Sequence, residues 1–505
     1  MMHVSTISSP ASVAAHAASR TGFWRLFANG EGLLAVLFLL TLPLANPWVR
    51  GDGVGYYAYA RSLLMERHLS FEKDWQHGND SFTMGRVGAD GAVLASQYTA
   101  TGHIGNLWTI GPSLLWAPFL VVTHLGVLAC DRLGAHIAAD GFSTPYLVTV
   151  AVTTSLYGFL GLLLSFHLAR KYFEERWALL ATLGIWWASS LPVYMYFNPS
   201  YSHAHSAFAV ALFLWYWHKT RGRKTLLQWV LLGLISGLMV NVYYPNGVLL
   251  LVPLLEAIGC YWRAWESDKH GGMVIPRLFH LHILYVAVFV AALLPTLISR
   301  QIIFGSPLQT GYMPASTWMW TSPEFWNVLF SSDHGMLSWT PILILSLLGI
   351  VLFRRSDKAF ATSLIVVFLV FYSVIAFYPD WDGMSSFGNR FFVSLTPLFI
   401  LGAAASFDWA ARKFGEQRGV LFASSATAVF VVWNLAFIFQ WGTHLVPARG
   451  PISWKQMAYN QAVVVPKRAV TDMKAYLENR RGLMKQIEVE DIEQQKKQMK
   501  VGAGK

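Results

Sequence analysis

The chain has 505 residues, of which 54% are hydrophobic and only 13% are charged. Soluble domains carry about 25% charged residues, so the composition excludes an ordinary soluble protein and predicts an all-α polytopic membrane protein. The net charge of +11 is explained by cytoplasmic loops beside anionic lipid. We expect no nucleic-acid partner, because no motif for one occurs. The cysteines, Cys130 and Cys260, form neither a CxxC pair nor a disulfide framework.

Apolar runs long enough to cross a bilayer, about 20 residues each, recur along the chain, and the shorter ones require tilt or local thinning. We predict eleven spans, near 30–48, 146–168, 177–195, 204–218, 226–243, 247–263, 278–299, 340–353, 359–378, 391–407 and 419–441. Residues 111–130 are also apolar enough to cross, but Pro112, Pro118 and His124 are compatible with a re-entrant or interfacial helix, so the crossing of this segment stays open. The expected number of transmembrane helices is therefore 11–13.

Clusters of Lys and Arg follow every second span, which places them together in the cytoplasm. The clusters include Arg170/Lys171/Arg176, Lys219/Arg221/Arg223/Lys224, Arg354/Arg355/Lys358 and Arg412/Lys413/Arg418. The pattern predicts a cytoplasmic tail (1–28), a transmembrane domain (29–441) and a C-terminal outer segment with a charged helical tail (442–505). The first outer loop is 49–110. The ten Lys and Arg residues of 467–505 would favour the cytoplasm, so the side of this tail stays open.

The first outer loop begins with a carboxylate, Asp52, between Gly51 and Gly53. The glycines allow a sharp turn, and Tyr56, Ala60, Leu63 and Leu64 then follow at the spacing of one helix face. This predicts an amphipathic interfacial helix directly after the turn. A carboxylate at the mouth of a membrane cavity indicates a functional site. The alternatives are a solvated loop side chain or a helix N-cap.

The first span, Asp52 and the following Tyr56-Tyr57-x-x-x-Arg61-x-Leu63-Leu64 pattern resemble the GT-C superfamily of integral-membrane glycosyltransferases. This group includes protein O-mannosyltransferases and the aminoarabinose transferase of lipid A. The resemblance covers roughly 30–440. Further matching stretches are Thr109–Phe119, Tyr201–Ser206, His334–Pro341 and Ser386–Phe392. One departure is that many relatives carry an Asp-Glu pair where this chain has Asp52 followed by Gly53.

The resemblance implies transfer of a sugar, with inversion, from a polyprenyl-phosphate carrier to an acceptor at the outer face of the membrane. Asp52 resembles the catalytic base of such enzymes. The implied partners are the lipid-linked donor, the bilayer and an envelope lipid, glycan or protein acceptor. The implied location is the bacterial inner membrane, with the site on the periplasmic side. No cofactor is certain, and a divalent cation stays open.

Six residues are candidates for substrate binding. A leaving phosphate needs cations or donors, and arginine offers a two-pronged fork. The candidates are Tyr56, Arg61, Arg86, His103, His334 and Arg390. Two of the arginines have simpler interpretations: Arg390 as an interfacial snorkelling side chain, and Arg61 as a helix-surface charge paired with Glu66 or with lipid headgroups.

Two further patterns are weak metal candidates. Asp380-Trp381-Asp382 spells a DxD, but no βαβ pattern surrounds it. His203 and His205 are two residues apart, which points them to different faces of a helix; we interpret them as hydrogen-bonded histidines.

Two other functions compete with glycosyl transfer. A transporter or flippase for lipid-linked or amphiphilic solutes would be expected to show an internal repeat or paired charges in mid-span, and the sequence shows neither. A membrane polymerase or ligase of oligosaccharides would depend on a large outer loop late in the chain, whereas here the largest such loop comes first.

Overall fold

The computed structural model describes residues 29–267 and 274–502, and long helices dominate it. The predicted tail 1–28 lies outside the described residues. The helices are α1 (Gly30–Thr41), α2 (Asp52–Met65), α3 (Gly111–Arg132), α4 (Thr144–Ala169), α5 (Glu175–Trp187), α6 (His203–Lys219), α7 (Leu226–Val242), α8 (Leu251–Ser267), α9 (Val274–Ala292), α10 (Leu294–Phe304), α11 (Ile342–Leu352), α12 (Lys358–Phe377), α13 (Thr396–Phe414), α14 (Glu416–Gly442), α15 (Val465–Glu478) and α16 (Arg480–Gly502). Shorter helices are Glu72–Gln76, Asp80–Thr83, Phe325–Phe330, Met336–Trp339 and Trp454–Tyr459.

The chain is an all-α polytopic membrane protein. Within the described ranges, 7 helical stretches are long and apolar enough to cross a bilayer. They are Gly111–Arg132, Thr144–Ala169, Tyr244–Glu266, Ile275–Ala292, Lys358–Phe377, Arg390–Phe414 and Glu416–Gly442. Each predicted span overlaps a helix, but several are shorter than a full crossing. The span predicted at 177–195, for example, is the 13-residue α5 followed by a π-helical turn, Val193–Phe197.

Helix α3, in the segment whose crossing the sequence leaves open, begins beside α2. Ser113 in its first turn accepts from the Ala60 amide at 2.9 Å. After its last turn the chain returns to α2, where the Tyr57 hydroxyl donates to the Gly141 carbonyl at 2.6 Å. The chain is therefore back beside α2 nine residues after α3 ends. This supports the re-entrant alternative and leaves the alternation of basic clusters intact.

The two ends of α6 mark the two ends of the bundle. Its first residue, His203, follows the turn that contacts α2. Near its last turn, His218 bonds to the Tyr172 hydroxyl at 2.6 Å, and Tyr172 donates to Asp357 at 2.9 Å. The loops predicted to be cytoplasmic thus meet at what we call the Asp357 end. The opposite end, which holds the loops around α2, is the Asp52 end.

The charged C-terminal tail packs at the Asp52 end. In α15, the Tyr476 hydroxyl donates to the Leu44 carbonyl at 2.7 Å. In α16, Glu488 accepts from the Asn79 side chain at 2.7 Å. The tail therefore lies at the same end of the bundle as the first loop.

Helix α2 is more enclosed than its amphipathic pattern indicates. All residues from 53 to 62 are buried, whereas Leu63, on the predicted apolar face, is 45% exposed. The first loop folds back over the polar side, and the Tyr59 hydroxyl donates to the Trp108 carbonyl at 3.1 Å. Hydrogen-bonded tyrosines and aromatic contacts thus replace the water that an interfacial helix would meet.

Candidate active site

The backbone turns sharply just before Asp52, and the turn lies against the loop at 198–202. Gly51 has φ +51°, and its amide donates to the Asn79 side-chain oxygen at 2.8 Å. A Cβ atom on Gly51 would lie 2.4 Å from the Tyr201 hydroxyl, and one on Gly53 would lie 2.0 Å from the Ser200 hydroxyl. Only glycine permits this approach, so the two glycines fix where α2 presents its first side chain.

Asp52 forms an ion pair with Arg390, the first residue of a 3-10 helix, Arg390–Leu395, that leads into α13. The Arg390 Nη1 atom lies 2.7 Å from Asp52 Oδ2, and the side chains are 10% and 26% exposed. The guanidinium also lies over the Tyr201 ring, 5.6 Å from its centroid. Arg390 Nε has no hydrogen-bond partner among the described residues. The pair is therefore partly open and keeps an unused donor.

Buried tyrosine hydroxyls surround the pair. The Tyr56 hydroxyl accepts from Ser202 at 3.0 Å. Burial raises the pKa of Tyr56 and of Tyr201 above the usual value, and the nearby Asp52 charge raises each further. Both hydroxyls therefore remain protonated and can hydrogen-bond to a polar ligand beside Asp52.

A second arginine, Arg86, lies within the electrostatic reach of Asp52. It is half-buried, with its guanidinium 4.5 Å from the centroid of the Phe82 ring. Burial lowers the pKa of Arg86, and the Asp52 charge opposes this shift. Arg86 Nη1 donates to the Phe82 carbonyl at 2.7 Å. Arg86 thus adds positive potential at the site without direct contact with Asp52.

A cluster of acidic and imidazole groups lies next to Arg390. The ligand atoms of Asp333, His334 and Asp382 all lie within 4.8 Å of one another. Burial and, second, Arg390 lower the pKa of His334 to about 3, which keeps the ring neutral. Burial and, second, Asp382 raise the pKa of Asp333 to about 6. Asp380, the other carboxylate of the DxD, does not belong to this group.

Two predicted binding residues lie elsewhere. Arg61 is 2% exposed and donates to both oxygens of Asp74, at 2.6 and 2.7 Å, and to Glu66 at 3.0 Å. The pairing with Glu66 agrees with the simpler interpretation, but Arg61 is buried and is not a helix-surface charge. Its contacts leave it poorly placed to bind a phosphate. His103 contacts the Thr101 hydroxyl at 3.1 Å, and no contact joins it to Asp52 in the described structure.

His203 and His205 lie in separate aromatic surroundings. The His203 ring is 4.6 Å from the Tyr194 ring, and the His205 ring is 5.0 Å from the Trp116 ring. This agrees with their predicted orientation toward different sides. That both are hydrogen-bonded stays a prediction: His205 lies within reach of the Tyr201 backbone, and His203 Nδ1 has no partner among the described residues.

The structure is similar to that of ArnT from Cupriavidus metallidurans, solved in the apo state. The TM-score is 0.49, and the sequences are 15% identical. The match covers 94% of this chain and 75% of the other. No protein-family model matches the sequence, and no curated protein sequence matches it.

Sequence reasoning missed several residues that build the site. Asn79 and Tyr201 position the turn at Gly51, and Asp333 joins His334. Two signals were present: Tyr201 opens a stretch that resembles the GT-C pattern, and Asp333 directly precedes a candidate residue. Asn79 carried no signal, because a polar residue in a polar loop is common.

Proposed function

We propose that this chain is a membrane glycosyltransferase that moves a sugar from a polyprenyl-phosphate carrier to an acceptor hydroxyl, with inversion. The observation that carries the proposal is the open Asp52–Arg390 pair: a carboxylate that is 26% exposed, held by one contact to an arginine that keeps a spare donor. Such a pair offers a base and an anion-binding group side by side, which inverting transfer from a phosphate requires.

Asp52 acts as the base. Its carboxylate takes the proton of the acceptor hydroxyl as that oxygen attacks the anomeric carbon. The bond from that carbon to the carrier phosphate breaks, and the phosphate leaves with the electron pair. The carrier phosphate is a stable anion, so no acid is needed to protonate it. The protonated Asp52 then releases its proton to water.

Arg390 holds the donor phosphate. An incoming phosphate oxygen accepts from Nε and competes with Asp52 for the other donors of the guanidinium. As the phosphate takes over these donors, the Asp52 oxygen is released to act as a base. In the absence of donor, the same contact holds the carboxylate in position.

An apolar groove of about 340 Å³ suits the isoprenoid part of the donor. It is lined by Trp318, Trp320, Leu369, Val370, Ser373, Val374 and Phe377. Aromatic contacts connect it to the site, because Trp318 packs on Tyr378 at 5.6 Å and Tyr378 packs on Phe391 at 6.2 Å. Phe391 directly follows Arg390, so a lipid in the groove would bring its phosphate toward the arginine.

We place the reaction at the periplasmic face of a bacterial inner membrane, with an envelope lipid, glycan or protein as acceptor. The argument rests on the charge pattern. The basic loops gather at the Asp357 end, which the positive-inside rule assigns to the cytoplasm. The Asp52 end is then the outer one. A polyprenyl-phosphate sugar presented at that face is the donor class that the site fits.

The proposal is tested by Asp52→Asn in a strain that lacks the chromosomal gene. Mass spectrometry of the envelope glycans should show the product with the wild-type chain and its absence with the variant. With purified protein and polyprenyl-phosphate sugars, transfer should fall by roughly 10²–10⁴-fold, the usual contribution of a general base. Asp80→Asn is the matched control, an exposed carboxylate of the same loop, and should leave transfer unchanged. Wild-type transfer by Asp52→Asn would refute the assignment.

A further inference from the structure

Two loops at the Asp52 end meet in a cluster that glycosyl transfer by Asp52 does not use. One of the two loops precedes the helix Met336–Trp339 and carries Asp333 and His334. The second follows α12 and carries Asp382. One ligand atom from each residue lies within 4.8 Å of those from the other two. This is the separation expected of side chains that share one ion.

The histidine of this cluster has unmet hydrogen-bonding capacity. His334 is 0% exposed, and neither of its ring nitrogens makes a well-aligned hydrogen bond among the described residues; the backbone of Asp382 lies close enough to act on the ring. Its Nδ1 atom is 3.4 Å from Asp333 Oδ1, too long for a good hydrogen bond. Asp333 Oδ1 is likewise buried without a partner. Buried polar atoms are normally paired, so the lone-pair nitrogen of His334 and the buried Asp333 Oδ1 call for a ligand that accepts their lone pairs, and the other ring nitrogen is left for the Asp382 backbone.

The chemistry of the three side chains selects the ligand. Two carboxylates and a neutral imidazole offer only lone pairs at their meeting point, which suits a cation and repels an anion. Imidazole favours Zn²⁺ and its neighbours in the first transition row, and carboxylates favour Mn²⁺. Three protein ligands leave at least one coordination position open.

We infer that Asp333, His334 and Asp382 bind a divalent first-row transition-metal ion such as Mn²⁺ or Zn²⁺. The site is built without Asp380, although Asp380 and Asp382 together form the DxD of the sequence. Only the second carboxylate of that tripeptide turns toward the histidine.

The ion would lie beside Arg390. A Cβ atom on Gly383, the residue after Asp382, would be 3.2 Å from Arg390 Cγ. An ion here would meet the donor phosphate through its open coordination position. This role rests on the proposed function, whereas the binding of the ion does not.

Metal binding is measured without any donor or acceptor. The purified chain in detergent is stripped with EDTA and titrated with MnCl₂, and free Mn²⁺ is followed by electron paramagnetic resonance. Competition with ZnCl₂ and MgCl₂ gives the selectivity. The wild-type chain should bind one Mn²⁺, displaced by Zn²⁺ more readily than by Mg²⁺. Asp333→Asn and Asp382→Asn should each weaken binding by roughly tenfold or more, since even a group behind a ligand contributes that much.

Asp380→Asn is the matched control and should bind Mn²⁺ as the wild type does. Circular dichroism and thermal unfolding confirm that each variant is folded, and the Asn substitutions keep the side-chain shape. Binding no tighter in the wild type than in Asp382→Asn would overturn the site, and so would equal weakening by Asp380→Asn. Intact Mn²⁺ binding in a chain that fails to transfer sugar would refute the proposed function alone.

Discussion

Two aspartate–arginine pairs lie along α2, and they differ in how completely they are satisfied. Asp74 and Arg61 are 2% and 1% exposed at their side chains and make two parallel contacts of 2.6 and 2.7 Å. Asp52 and Arg390 are 26% and 10% exposed and make one contact of 2.7 Å. Both carboxylate oxygens of Asp74 are therefore paired with Arg61, whereas only one oxygen of Asp52 is paired with Arg390.

The difference separates a scaffold from a site. The Arg61 guanidinium also contacts Glu66 at 3.0 Å and lies 4.8 Å from the Phe142 ring centroid, which leaves little of it for a ligand. Arg390 retains an unpartnered Nε. A saturated pair fixes the fold, because removal of either partner leaves a buried charge. An unsaturated pair can exchange its partner for a substrate phosphate.

The same substitution at the two arginines should give opposite results, and this is the largest expected effect. Arg→Met keeps the apolar stem but removes the charge. Arg61→Met leaves Asp74 buried without a partner and should lower the free energy of unfolding by about 3–5 kcal/mol. Arg390→Met leaves Asp52 partly solvated, so the protein should remain folded but lose donor binding. Thermal unfolding in detergent and binding of a polyprenyl phosphate measure the two effects.

Arg61→Lys is the control that keeps the positive charge but removes the planar guanidinium. We expect an intermediate loss of stability, since lysine cannot reproduce the two-pronged contact. The comparison fails if Arg390→Met destabilises the chain as much as Arg61→Met does. It also fails if Arg390→Met binds the polyprenyl phosphate as tightly as the wild type.

The sequence predicts the parts of this comparison that depend on local pattern. Asp52 stands out because it follows an apolar span and two glycines frame it. Arg61 pairs with Glu66 as expected from their proximity in the chain. Arg390 was predicted to bind phosphate, but not to pair with a residue 338 positions away. Long-range partners leave no local pattern, which is also why Asp74 was missed.

The same limit applies to the helical framework. Hydropathy locates the apolar segments, because each must satisfy its own backbone in lipid. Hydropathy does not tell whether α3 crosses, because the path of the chain after α3 is set by a long-range hydrogen bond between Tyr57 and Gly141. It also leaves the side of the C-terminal tail open, because contacts of α16 with Arg50 and Asn79 decide it.

Gly53→Ala should disturb the Asp52–Arg390 pair, because Gly53 packs closely against Ser200. Alanine normally stabilises a helix relative to glycine, but here the added Cβ would lie 2.0 Å from the Ser200 hydroxyl. Overpacking of this kind costs about 1–3 kcal/mol and would shift Asp52 away from Arg390. Thermal unfolding and transfer should both decline.

Gly126→Ala in α3 is the control, because nothing lies within 4 Å of the added atom. A second test combines Gly53→Ala with Ser200→Gly, which removes the obstructing side chain and should restore part of the transfer. Full activity in Gly53→Ala alone would show that the turn accommodates the added Cβ atom and would contradict this prediction.

Two tyrosines of α2 test the same contrast between site and scaffold, with a smaller expected effect. Tyr56→Phe removes the hydroxyl that accepts from Ser202 beside Asp52. Tyr59→Phe removes a hydroxyl that donates to the Trp108 carbonyl on the scaffold side. A hydrogen bond contributes about 1 kcal/mol, which corresponds to about fivefold in affinity. Tyr56→Phe should raise the KM for the donor by about that factor, whereas Tyr59→Phe should lower the unfolding midpoint and leave KM unchanged. An identical response of KM in the two variants would remove the distinction.

The smallest effect concerns a third ion network, which joins α16 to the residue two positions before Asp52. Arg50 pairs with Asp491, and His444 bonds to Asp491 at 2.8 Å and to Glu490 at 2.7 Å. Burial alone would lower the pKa of His444, but the hydrogen bonds to these carboxylates raise it overall. Burial alone would raise the pKa of Asp491, but His444 and Arg50 lower it overall.

These shifts set a pH window for the docking of α16. A histidine with a raised folded pKa contributes stability below its unfolded value of about 6.5, and this is lost as the pH rises through the folded value. An aspartate with a lowered pKa contributes above about pH 4 and loses its contribution on further acidification. Docking should therefore be strongest between about pH 4 and 6.5 and should loosen in mildly alkaline solution. Partly solvated ion pairs contribute ~0.5–1 kcal/mol, so hydrogen exchange of α16 should accelerate by about two- to fivefold, after correction for intrinsic rates. His444→Gln should remove the alkaline loosening, and a pH profile unchanged by that substitution would exclude His444 as its cause.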